Sequence, residues 1–170
     1  MIKRLAEAIA KFVKGSATPS SRLPQLFRDD DLGEFRLGDS GRSYGGKVDW
    51  LGQDVYVSIN LRDDLSVRAL SRCLDQLRRF LAHAEDFQTK ASARSAEMFY
   101  PEYIENRWHR DQPPLEVGEW ERRIPLEVIE LNVSGSVFLT FDTRDLMGGN
   151  VIELIGTTRG EISEVSLFFP

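Results

Sequence analysis

Cysteine is almost missing from this chain. Cys73 is the only one among 170 residues, so no intramolecular disulfide can form and a cysteine-built metal site is excluded. That usage fits a reducing cytoplasm. Histidine is nearly as scarce, with His83 and His109 alone. Two imidazoles fall short of the three protein groups that a zinc site needs, and no metal or other cofactor is expected. Long apolar runs are missing as well. None approaches the roughly 18 residues that a membrane-crossing helix requires, so no membrane span is expected. A concentrated basic face is also lacking: the net charge is −5, and residues 115–170 hold ten acidic and four basic side chains. A nucleic-acid binder needs clustered cations to displace counterions from phosphate, so that class is set aside.

What the chain has in quantity is short apolar runs separated by turn residues. Four follow one another in the last third: Leu126–Val133, Val137–Phe141, Val151–Ile155 and Val165–Phe169. Val137, Leu139 and Phe141 alternate with Phe138, Thr140 and Asp142, the period of two of half-buried strands. Ser134-Gly135, Gly148-Gly149 and Arg159-Gly160 supply the breaks, so this region reads as an antiparallel meander. An earlier β region reads as Glu34–Leu37, Lys47–Leu51 and Val55–Leu61, with Gly52-Gln53 as a tight connection.

Between the two β regions the period changes to that of a helix. Leu70, Leu74, Leu77, Leu81, Ala84 and Phe87 recur by three and four, and Ser66 or Asp64 is placed to cap the first turn. A second helical stretch is expected over about 88–100, ended by Pro101. A short helix carrying Val117, Trp120 and Ile124 should follow Pro113-Pro114. At the amino terminus, Ile2, Leu5, Ile9, Phe12 and Val13 form one stripe and Lys3, Arg4, Glu7, Lys11 and Lys14 lie elsewhere, which describes an amphipathic helix over 1–15. Glu7 and Lys11 interrupt what would be the apolar core of a signal peptide. Residues 16–33 read as a loop or linker. The expectation is one α+β domain over 1–170, in which an antiparallel sheet from early and late strands packs against central helices.

The catalytic motifs are weak. Gly41-Arg42-Ser43-Tyr44-Gly45 fits G-x-S-x-G, but that elbow needs a helix after the serine, and here a strand follows. Gly38-Asp39-Ser40-Gly41 has no histidine upstream. His109 lies four residues after Glu105, which would stack the two on one helix face. Asp29-Asp30-Asp31 lacks the alternate spacing of a calcium loop and reads as solvated. Asn132-Val133-Ser134 matches a glycosylation sequon at a hairpin, where it carries no meaning. Trp108, in a polar segment, is the tryptophan expected to face a partner.

The run Tyr44-Gly45-Gly46-Lys47-Val48-Asp49-Trp50-Leu51-Gly52, then Val55-Tyr56-Val57-Ser58-Ile59, a helical middle ending at Trp108, Ile129-Glu130-Leu131, Ser136-Val137 and Asp145-Leu146-Met147-Gly148-Gly149-Asn150-Val151-Ile152 resembles an uncharacterised bacterial domain-of-unknown-function family, number two-two-six-two. The resemblance covers roughly residues 34–168. In that family the turn before the third late strand reads aspartate, aromatic, then Gly-His; here Asn150 stands where the histidine would fall. The resemblance implies a compact bacterial α+β protein with no assigned activity.

The leading functional expectation is a non-catalytic protein-binding module, an adaptor or immunity-type inhibitor, that meets another protein with a basic surface. Its candidate contact residues are Trp108, His109, Glu130, Asp145, Asn150 and Glu164. The alternatives are a small hydrolase-like enzyme using Ser43 or His109, and a structural subunit of a larger assembly, including a homo-oligomer, docked by its amino-terminal helix.

Overall fold

Alternation of apolar and polar residues builds eight strands, and they lie side by side in chain order. The computed structural model describes residues 23–106, 113–144 and 146–168. Strands β1 (Leu26–Asp29), β2 (Gly33–Leu37), β3 (Ser43–Trp50) and β4 (Gln53–Asn60) form a first meander. Helices α1 (Val67–Leu81), α2 (Ala84–Asn106) and α3 (Val117–Arg122) follow, and β5 (Leu126–Asn132), β6 (Ser136–Asp142), β7 (Val151–Thr157) and β8 (Ile162–Phe168) form a second meander. The meanders join through β4 and β5, which pair in parallel, Val57 opposite Ile129 and Ile59 opposite Leu131. The sheet is therefore mostly antiparallel rather than wholly so. A parallel pair needs a long crossover, and the three helices supply it.

One face of the sheet is dry. Phe35, Tyr44, Val48, Trp50, Val55, Val57 and Ile59 from the first meander, and Ile129, Leu131, Val137, Leu139, Phe141, Ile152 and Leu154 from the second, are all buried. Helix α1 covers them with Ala69, Leu70, Cys73, Leu74, Leu77 and Phe80. Its first turn is closed by Ser66, whose Oγ accepts from the Ala69 N–H at 3.1 Å, satisfying one of the orphan amides. Trp50, Phe80 and Phe87 form an aromatic cluster with centroids 4.9 to 6.4 Å apart, and Trp50 Nε1 donates to Gln88 Oε1 at 3.0 Å.

Several boundaries differ from the reading of the sequence. The segment expected as a loop over 16–33 contributes β1 and the first residue of β2; Leu26-Phe27-Arg28-Asp29 is short and does not alternate apolar with polar residues, so it carries no period-two signal. The β3–β4 loop is Leu51-Gly52, because Trp50 pairs with Gln53. Both loop residues have positive φ, 55° and 86°, as a hairpin turn matching the strand twist demands. Helix α2 does not stop at Pro101 but continues to Asn106. The missing N–H and the ring clash are costly within a helix. Tyr103 offsets them by burying against Trp120, centroids 6.5 Å apart, while its Oη accepts from the Leu115 N–H at 3.1 Å. The expected helix over 1–15 lies outside the described residues.

Candidate functional site

The second face of the sheet has no layer over it among the described residues, and its chemistry changes halfway across. In the first meander the outward cations are compensated: Arg28 pairs with Glu34 at 2.7 Å, Arg36 with the same carboxylate at 3.7 Å, and Lys47 with Asp54 at 3.9 Å. In the second meander no strand carries a lysine or arginine. Its outward positions are Val128 and Glu130 on β5, Phe138, Thr140 and Asp142 on β6, Val151, Glu153 and Ile155 on β7, and Glu164, Ser166 and Phe168 on β8. Carboxylates and apolar groups are interleaved there without a cation.

Register sorts these side chains into rows. Glu130 pairs with Phe138, Phe138 with Ile155, and Ile155 with Glu164. One straight row thus runs Glu130, Phe138, Ile155, Glu164, with an apolar pair in the middle and a carboxylate at each end. The neighbouring row runs Tyr56, Val128, Thr140, Glu153, Ser166. Phe138, Phe168 and Tyr56 are 39%, 49% and 47% exposed, large apolar area for side chains on one face. Glu130 and Glu164 are exposed, and neither has an ion-pair partner among the described residues. Two of the expected contact residues are therefore brought into one row.

The others are not. Asn150 is buried at 6% exposure; its carbonyl accepts from Thr143 Oγ1 at 2.5 Å and its N–H donates to the Met147 carbonyl at 3.3 Å. These bonds tie down the β6–β7 connection, away from the row of Glu130 and Glu164. Trp108, His109 and Asp145 lie outside the described residues, as does the Glu105–His109 stack.

Of the two hydrolytic candidates, Ser43 and His109, only Ser43 is among the described residues. Ser43 opens a strand, facing Asn60 of β4, on the outward side opposite the core-facing Tyr44. His83 is exposed at the corner between α1 and α2, in the helical layer on the other side of the sheet. A cavity of about 10 Å³ lies between Ser92, Ser95, Trp120, Glu121, Ile124 and Phe141. That is room for one water, far below the roughly 300 Å³ of a small-molecule pocket. Among the described residues no group of three or more His, Cys, Asp and Glu side chains is placed to hold a metal, and no helix is long and apolar enough to cross a membrane.

Asp29 is the residue whose role the sequence concealed. It belongs to the acidic run expected to be solvated, yet its side chain is 2% exposed and paired with Arg78 of α1. The signal, an arginine on the helix 49 residues away, is not local.

No curated protein and no solved structure matches the chain. The family model described as "Uncharacterized protein conserved in bacteria (DUF2262)" matches residues 29–167, which is most of the sequence and runs from the last residue of β1 to the penultimate residue of β8, and the chain belongs to that family.

Proposed function

We propose that this is a non-catalytic protein-binding module, an adaptor or immunity-type inhibitor working in the bacterial cytoplasm, that receives a basic protein surface on the open face of its second meander. The observation that carries this reading is the row Glu130, Phe138, Ile155, Glu164. An apolar centre with charged ends has the anatomy of a protein interface, in which a desolvated middle supplies affinity and a polar rim supplies orientation and encounter rate. The absence of any cation on these strands makes the face repel nucleic acid and attract lysine and arginine. A single free thiol, buried at Cys73, fits a reducing compartment.

The test begins with capture of the partner from a bacterial host and its identification by mass spectrometry. Association kinetics are then measured across ionic strength for the wild type and for a Glu130→Lys, Glu164→Lys double variant. Association should slow as salt rises and slow further on charge reversal, because exposed charges act over a Debye length of about 10 Å at 0.1 M salt. Phe138→Asp should instead raise the dissociation rate. Association indifferent to both salt and charge reversal, or tight binding to DNA at physiological salt, would refute the reading.

A further inference from the structure

Resting on the reading of the open sheet face as a docking surface, we infer that its resident occupant is the chain's own segment 2–14, laid in cis along β6 and β7 over the row from Glu130 to Glu164, where a partner must displace it. Charge is the first ground. Residues 1–22 hold five basic side chains and one acidic, and the face they would meet has carboxylates and no cation. Helix α1 offers no such match, since it carries Arg68, Arg72, Arg78 and Arg79 against the single acid Asp75, and on α2 the acids Asp86 and Glu97 are already paired with Lys90 and Arg94.

Dimensions are the second ground. Glu130 and Glu164 stand on β5 and β8, three strand spacings or about 14 Å apart, with Phe138 and Ile155 as the floor between them. A helix with its side chains is about 10–12 Å across, so one helix fills that trough. In a helical 2–14, Ile2, Leu5, Ile9, Phe12 and Val13 form a stripe that would rest on Phe138 and Ile155. Lys3 and Arg4 border the stripe on either side, with stems long enough to bring their charges to flanking carboxylates. A helix of that length is about 20 Å long, and the seven-residue strands β6 and β7 extend about 23 Å.

The connection is long enough. The Pro24 carbonyl accepts from Tyr44 Oη at 2.6 Å, which fixes the start of the described chain beside β3, about 14 Å from β6 at three strand spacings. Residues 15–22 extend up to about 26 Å, sufficient to round the end of the sheet.

A nitroxide placed through Glu7→Cys in the full chain tests this by paramagnetic broadening of amide signals; Cys73 is buried and takes no label. The signals of Glu130, Phe138, Ile155 and Glu164 should lose intensity in the oxidised sample relative to the reduced one, while those of α1 and α2 keep theirs. The loss should disappear in the Glu130→Lys, Glu164→Lys background and in Ile9→Asp, Phe12→Asp. Equal intensities on both faces, or a loss confined to α1 and α2, overturns the inference. A loss that appears on unlabelled, isotope-enriched chains mixed with spin-labelled ones also overturns it, by making the occupant a second copy. If the loss is absent but the partner still binds through Glu130 and Glu164, cis occupancy alone fails. If the loss is present and partner binding ignores charge reversal, the protein-binding reading fails and the cis contact stands.

Discussion

Asp29 and Arg78 form an ion pair that ties the β1–β2 turn to helix α1. Asp29 Oδ1 also accepts from the N–H groups of Asp31 and Leu32 at 3.1 and 3.0 Å, so one carboxylate closes the turn and anchors it to the helix layer. Arg78 in turn reaches Asp75 at 2.8 Å and Asp31 at 3.7 Å. Removing one member of a buried pair leaves the other charge uncompensated, and here it also removes the turn's hydrogen bonds. Asp29→Ala should therefore cost about 2–4 kcal/mol in urea unfolding. Combined with Arg78→Met it should cost clearly less than the two single changes together. Additive costs would mean that the two side chains act independently.

Leu51 stands in a hairpin turn with φ at 55° and is 47% exposed. A left-handed backbone costs a residue with a bulky side chain roughly 1–2 kcal/mol, and Leu51, half exposed, gains little from burial in return. Leu51→Asn should stabilise the protein by about 0.5–1 kcal/mol, since asparagine favours this turn geometry. A lower urea midpoint would show that Leu51 makes contacts worth more than the strain.

Adjacent glycines of β3 should respond differently. A Cβ on Gly46 would lie 2.7 Å from the Glu34 carbonyl oxygen and 2.7 Å from the Phe35 ring, and neither the backbone of β2 nor a buried ring can give way easily. Gly46→Ala should cost about 1–3 kcal/mol. A Cβ on Gly45 would meet only the exposed ring of Tyr56, at 2.1 Å from Oη, which can swing outward. Gly45→Ala should cost less than Gly46→Ala; the reverse order in thermal unfolding would contradict the packing of β2 on β3.

Leu77 and Phe141 come from the helix and sheet sides of one core, 0% and 3% exposed. Leu77→Ala and Phe141→Ala should each cost about 2–5 kcal/mol, the transfer energy of the lost atoms plus the cavity they leave. A cost below about 0.5 kcal/mol for either would place that side chain outside the core.

Alkaline pH should weaken the fold. Burial pushes the Cys73 thiol up from 9.0 to about 11, with Arg72 opposing and Asp64 adding to it, and burial pushes the Tyr44 phenol up from 10.0 to about 12. Between the unfolded and folded values the unfolded chain has released a proton that the folded chain still holds, so stability falls as pH rises. The contribution of Cys73 is complete below pH 9 and lost by 11; that of Tyr44 is complete below 10 and lost by 12. Each slope is at most about 1.4 kcal/mol per pH unit. Urea unfolding from pH 8 to 11 should show a shallower decline for Cys73→Ala than for the wild type, and parallel curves would count against the buried thiol.

Most of the strands and helices, though not β1 or the end of α2, and the direction of many side chains follow from the order of residues alone. Period-two and period-3.6 patterns are local, so Val137, Leu139 and Phe141 were legible as a core face, Leu70 to Phe87 as a helix stripe, and Glu130 and Glu164 as outward. Tertiary structure decided what those side chains stand beside. The parallel pairing of β4 with β5 joins two meanders into one sheet, and only contacts across a crossover of three helices specify it. The Asp29–Arg78 pair depends on the same long-range packing. The row itself rests on irregularities with no sequence signature, one between Leu126 and Val128 on β5 and another between Ile155 and Gly156. Beside the second, Ser163 is the extra residue of β8, its Oγ donating to the Ile155 carbonyl at 3.0 Å. A slip of one residue turns every side chain of a strand to the opposite face. The bulge that sets Glu164 opposite Ile155, level with Phe138 and Glu130, is therefore fixed by pairing between strands rather than by any pattern within one of them.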